Sequence, residues 1–217
     1  MEREVRYLPL GASGIEVRKA ENGAVGIRGT ASVTRSVSED LGGFTEEIEP
    51  GAYEKALERS DVRGLFNHDP NYVLGRSNRT MRVSADVDGM HYDIPQLPKA
   101  RADVLEAIER GDVDGNSFSF TVGEGGDKWT TRNGKPHRVI TAFEEIFDVG
   151  PVTFPAYADT VVSARSRDMA RRMANDPPPA DPPPADPLPE PQPDPATKED
   201  IEGLRRRIEL LEATREA

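Results

Sequence analysis

No cysteine occurs in the 217-residue chain. That excludes disulfides, thiolate metal sites and a cysteine nucleophile, and it suits a reducing compartment. No apolar run approaches the ~18 residues of a membrane span. The opening Met-Glu-Arg-Glu-Val-Arg is not followed by the apolar stretch of a secretory signal. Basic clusters are missing from the first 160 residues and the net charge is −11. Phosphate backbones require clustered cations, so no direct nucleic-acid binding is expected, and no membrane association either. Three scattered histidines make a poor zinc site, and H-E-x-x-H, a phosphate loop and GxGxxG do not occur. Neither a metal nor a cofactor is expected. Gly115-Asn116-Ser117-Phe118-Ser119 is not G-x-S-x-G, which argues against an α/β-hydrolase elbow. Paired carboxylates could suit a glycosidase, but among 39 acidic residues such pairs carry no specificity.

What is present falls into two parts. Residues 1–165 carry many short alternating segments bounded by turn residues, with at least two helical stretches. Met81, Val83 and Ala85 alternate, Asp86-Val87-Asp88-Gly89 turns, and Met90, Tyr92 and Ile94 alternate back, which predicts a hairpin. Ala52 to Arg59 and Ala102 to Arg110 predict helices, the second closed by Gly111. Lys128 to Thr130 and Arg138 to Asp148 predict two strands joined through Asn133-Gly134. The pattern fits an α+β domain built on an antiparallel sheet or barrel. Residues 166–197 change character: a basic, helix-prone stretch gives way to a tandem Asp-Pro-Pro-Pro-Ala repeat. Without apolar side chains that segment cannot build a core, so it is expected to be an extended, disordered linker. Residues 198–217 predict a C-terminal helix with Ile201, Leu204, Ile208 and Leu211 at a/d spacing, suited to docking or a coiled coil.

The chain is organised around Val113 to Val122. Phe118, Phe120 and Val122 share one face of a strand, and Ser117, Ser119 and Thr121 share the other. This stretch suits either a half-buried strand with a polar outer face or a strand that presents Ser117 as a nucleophile. Serine is a weak nucleophile until a base lies within hydrogen-bond reach and a third group holds that base. Of the histidines, His91 on its hairpin and His137 beside a turn are expected to be exposed. His68 ends an apolar strand just before Asp69-Pro70, where a side chain can project into a cleft. Asp148 is embedded among apolar residues, and burying an acid is costly unless it is paired. His68 would pair it, although Glu144 and Glu145 are alternatives.

Several separated segments together resemble one family. They are Asp40-Leu41-Gly42-Gly43-Phe44 with Ile48 to Tyr53, Phe66-Asn67-His68-Asp69-Pro70 with Val73 to Arg76, Arg110 to Phe120, and Asp148 to Ala156. In this order they resemble the tailed-phage prohead proteases of the HK97 type, the serine peptidases of capsid maturation. The resemblance covers roughly residues 25–160. It implies a barrel-like core flanked by helices, similar to the herpesvirus assembly proteases. It places the family's histidine on His68, its serine on Ser117 and its acid on Asp148. Ser119 stands where glycine is common in the family, and Asp148 where glutamate is common. The implied activity is cleavage of scaffold segments and of the protease itself, in the host cytoplasm and inside the assembling prohead. The implied partners are the scaffold segments and the major capsid protein, with a homodimer also compatible. The rival expectations are a non-enzymatic assembly protein on the same fold and an unrelated serine hydrolase.

Overall fold

A computed structural model describes residues 2–8, 14–154 and 162–175 of the chain. Twelve strands and three α-helices are present among these residues. The largest sheet has the order β1 (Glu4–Leu8), β9 (Gly115–Thr121), β12 (Glu145–Val152), β5 (Arg63–Leu65), β6 (Val73–Arg76). A second sheet orders β2 (Glu16–Lys19), β3 (Val25–Val33), β8 (Gly89–Ile94), β7 (Arg82–Ala85), and a third orders β10 (Asp127–Arg132), β11 (Lys135–Ile140), β4 (Thr45–Ile48). The class is α+β, mostly sheet with few helices, and no described helix is long and apolar enough to cross a membrane.

The expected barrel-like core is not found: no closed barrel forms among the described residues. The three ladders do not join, and each ends in two edges. The chain changes sheet instead of continuing around one. β12 pairs with β5, and β11 with β4, in parallel, so the sheets are not wholly antiparallel. The single strand expected over Arg138 to Asp148 is two strands. Thr141 to Glu144 breaks it and carries the chain from the three-stranded sheet to the five-stranded one.

The core explains this packing. Phe118 and Phe120 of β9 stack with centroids 4.9 Å apart, and Phe143 meets both edge-on. Ile27, Met90, Tyr92 and Ile94 of the second sheet bury against the same cluster. Gly75 of β6 permits the close approach, since a Cβ there would lie 2.9 Å from the Met81 Cβ. α1 (Glu54–Arg59) buries Ala56, and α2 (Ala102–Glu109) buries Val104 and Ile108, one turn apart on a single face. α3 (Ala164–Asn175) runs through residue 165. It buries Ser166, Ala170 and Met173, with Ala170 packed beside Phe44 and Val162. The Pro/Asp-rich segment and the helix expected over residues 198–217 lie outside the described residues.

Candidate active site

β9 is the strand on which the site is built. It lies between β1 and β12 and is buried along its whole length. Its hydroxyl row therefore faces protein, and the polar outer face open to solvent is not what forms. Ser117 and Ser119 are each fully buried.

A β-bulge decides what those hydroxyls meet. Ile146 of β12 lies opposite Phe120, but the next paired residue, Asp148, lies opposite Ser119. In unbroken register Asp148 would lie opposite Phe118 and face the aromatic core. The extra residue, Phe147, turns the carboxylate onto the serine face instead. Two residues further on, Gly150 lies opposite Ser117. A Cβ at Gly150 would sit 2.0 Å from the Leu65 carbonyl oxygen, so only glycine lets the β5 end come this close.

That strand end delivers His68. Asn67 and His68 both take left-handed backbone angles, φ 53° and 57°. Such a turn in two non-glycine residues needs support from its surroundings. Asn67 supplies it three times. Its backbone N–H donates to the Pro151 carbonyl (3.0 Å), its side-chain amide donates to the Thr153 hydroxyl (3.1 Å), and its side-chain carbonyl accepts the Thr153 N–H (2.9 Å). The histidine loop is thus fastened to the end of β12.

His68, Ser117 and Asp148 converge. The imidazole Nε2 is 2.5 Å from the Ser117 Oγ, and Nδ1 is 2.5 Å from Asp148 Oδ1. The Asp148 side chain is 1% exposed and that of His68 19%, so the ring closes the site on the solvent side. Tyr7 packs edge-on to the ring at 6.1 Å. Burial, with the positive charge of Arg3 behind it, pushes the His68 imidazolium down to about 4. Neutral imidazole with its proton on Nδ1, facing the carboxylate, leaves Nε2 free to accept the Ser117 proton. Ser117 Oγ also lies 2.9 Å from the Arg6 carbonyl. When His68 carries both protons, the hydroxyl can turn to that carbonyl.

The other candidates stand elsewhere. Glu144 pairs with Arg59 at 3.0 Å, and Glu145 is exposed. His91 is half-buried, 3.1 Å from the Thr30 hydroxyl, and so less exposed than expected. His137 was expected to be exposed and is buried, because β11 is the central strand of its sheet. Its Nδ1 is 2.7 Å from the Thr45 hydroxyl.

Two residues at the site have roles that sequence reasoning missed: Asn67, which reads only as part of the strand leading to His68, and Arg3, which gives no signal at all. Ser119 is visible as a second hydroxyl on the Ser117 face, but its bond to Asp148 is a tertiary contact.

A buried hydroxyl in series with an imidazole and a carboxylate is the arrangement from which a serine hydrolase generates its nucleophile. The model of one protein family, the caudovirus prohead serine proteases, matches residues 13–174, and the chain belongs to that family. Membership makes it a serine peptidase of capsid maturation. Neither the curated proteins nor the solved structures include a match to the chain.

Proposed function

We propose that Ser117 is the nucleophile of this peptidase, His68 its general base and acid, and Asp148 the group that orients the imidazole. The observation that supports this most is the single ring of His68 within 2.5 Å of both the Ser117 hydroxyl and the Asp148 carboxylate. Ser117 Oγ attacks the scissile carbonyl carbon while Nε2 takes its proton. Asp148 stabilises the imidazolium that forms. The C–N bond breaks, Nε2 returns the proton to the leaving amine, and the acyl group stays on Ser117 as an ester. Water deprotonated by His68 then hydrolyses the ester and restores the hydroxyl.

The substrates are scaffold segments and the chain itself, cleaved in the assembling prohead of the infected cell, where the major capsid protein is a partner. The test is assembly with the capsid protein and its scaffold in the presence of wild type or Ser117→Ala. The variant is expected to keep wild-type thermal unfolding and to leave every scaffold segment uncut. Scaffold cleavage by Ser117→Ala at a rate near wild type would refute the assignment of Ser117, whereas scaffold left uncut by wild type would favour an assembly role.

A further inference from the structure

The second oxygen of Asp148 is held as firmly as the first. Ser119 Oγ donates to Asp148 Oδ2 at 2.5 Å, and the Arg3 guanidinium pairs with the same oxygen. Arg3 also donates to Ser119 Oγ through Nε (2.9 Å) and Nη2 (2.6 Å). One hydroxyl therefore uses its single proton and both lone pairs, and all three bonds lie within the cluster. The guanidinium carbon lies 4.8 Å over the ring of Phe147, the bulge residue. Ser119 is fully buried, whereas the Arg3 side chain is 47% exposed and reaches the carboxylate from the segment preceding β1.

We propose that Ser119 and Arg3 are positioning residues of this site: they occupy Asp148 Oδ2 and so leave Oδ1 to face His68 alone. The inference rests on the catalytic reading above. A carboxylate held on one oxygen can rotate and present either oxygen to the imidazole. Donors on Oδ2 fix the rotation, and with it the ring plane and the direction of Nε2 toward Ser117. The two residues act differently. Ser119 contributes geometry without charge. Arg3 also opposes the carboxylate's charge, and so keeps His68 neutral at pH values where a histidine beside an unshared carboxylate would be protonated. The groups facing the ring are Asp148 from β12, Arg3 from before β1, Tyr7 from β1 and Ser117 from β9.

The experiment is the rate at which a fluorophosphonate labels Ser117 in the full chain, followed across pH, for wild type, Ser119→Ala, Arg3→Met and Arg3→Lys. Ser119→Ala is expected to slow labelling about ten- to a hundredfold at all pH values, the worth of one hydrogen bond to a charged group. Arg3→Met is expected to move the acid midpoint upward by roughly half a unit or more, because the carboxylate then acts unopposed on the imidazolium. Arg3→Lys keeps the charge but loses the fork, so it holds the midpoint and slows labelling. Arg3 is half-exposed, so its variants test the inference even if Ser119→Ala fails to fold. An unmoved midpoint in Arg3→Met, with Arg3→Lys labelled at the wild-type rate, overturns it. Absence of labelling at Ser117 in wild type overturns the catalytic reading, and the inference with it.

Discussion

Among single residues, the protonation state of one imidazole governs the proposed chemistry. The base proposed for His68 must be neutral, and burial and Arg3 lower its pKa to about 4. As pH falls, peptidase activity is therefore expected to persist below the ~6.5 of an ordinary histidine and to be lost as the group protonates near the lower value. An acid midpoint at or above the ordinary value, in a rate–pH profile of peptide cleavage, contradicts this. A second prediction concerns Asn67. Asn67→Gly keeps a residue that tolerates φ 53° but removes both side-chain bonds to Thr153. It is expected to cost about 1–2 kcal/mol in thermal unfolding. Cleavage should slow more than KM changes, since the ring that it aims moves. Nucleophile chemistry and the family resemblance both point to His68, Ser117 and Asp148, and the fold brings these three side chains together. Arg3 was not legible: an exposed arginine near an end of the sequence looks like any other until a tertiary contact gives it a partner.

At the element scale, periodicity found the strands but not their surroundings. The β7–β8 hairpin and α2 were readable because turn chemistry and apolar spacing are local signals. The alternation in β9 told which residues share a face. It could not tell whether the hydroxyl face meets water or protein, which depends on the flanking strands β1 and β12, far apart in sequence. Nor does the sequence announce the bulge at Phe147, although it alone puts Asp148 on the serine side. Gly150→Ala tests the register of this region. Its Cβ would press on the Leu65 carbonyl, so β12 and β5 must part. The expected loss is about 1–3 kcal/mol of stability from the forced backbone shift, measured by denaturant unfolding. Activity should be lost as well, since β12 carries Asp148 and fastens the His68 loop. Wild-type stability in this variant contradicts the described approach of the strands.

At the scale of the whole molecule, the sheets are tied by a buried charge network that bulk composition conceals. Arg138, 1% exposed, donates to Glu4 and Glu46 (3.0 Å each) and to Asp127 (2.8 Å). Arg6 meets Glu4 and Glu46 at 2.7 and 2.8 Å. β1 of the five-stranded sheet is thereby joined to β4, β10 and β11 of the three-stranded one. Arg138→Met leaves Glu4 and Glu46 to share Arg6, and Asp127 to a half-exposed Arg165. It is expected to destabilise the fold by about 3–5 kcal/mol in denaturant unfolding. A loss below about 1 kcal/mol, the worth of an exposed pair, contradicts that role. The resemblance implied a barrel, and among the described residues the three sheets stay open. Beyond the described residues, we propose that residues 176–217 recruit the enzyme into the prohead. Their deletion is expected to leave peptide cleavage unchanged and to lower incorporation into assembled particles.

In the proposed chemistry one proton leaves the Ser117 hydroxyl for the His68 ring. The decisive measurement is intact-mass spectrometry of the purified full chain, alongside Ser117→Ala, His68→Ala and Asp148→Asn. Wild type is expected to trim itself, and Ser117→Ala and His68→Ala to keep an untrimmed mass. Asp148→Asn is expected to trim far more slowly, with thermal unfolding preserved in each. Trimming of Ser117→Ala at the wild-type rate in the purified protein would contradict the proposed proton transfer.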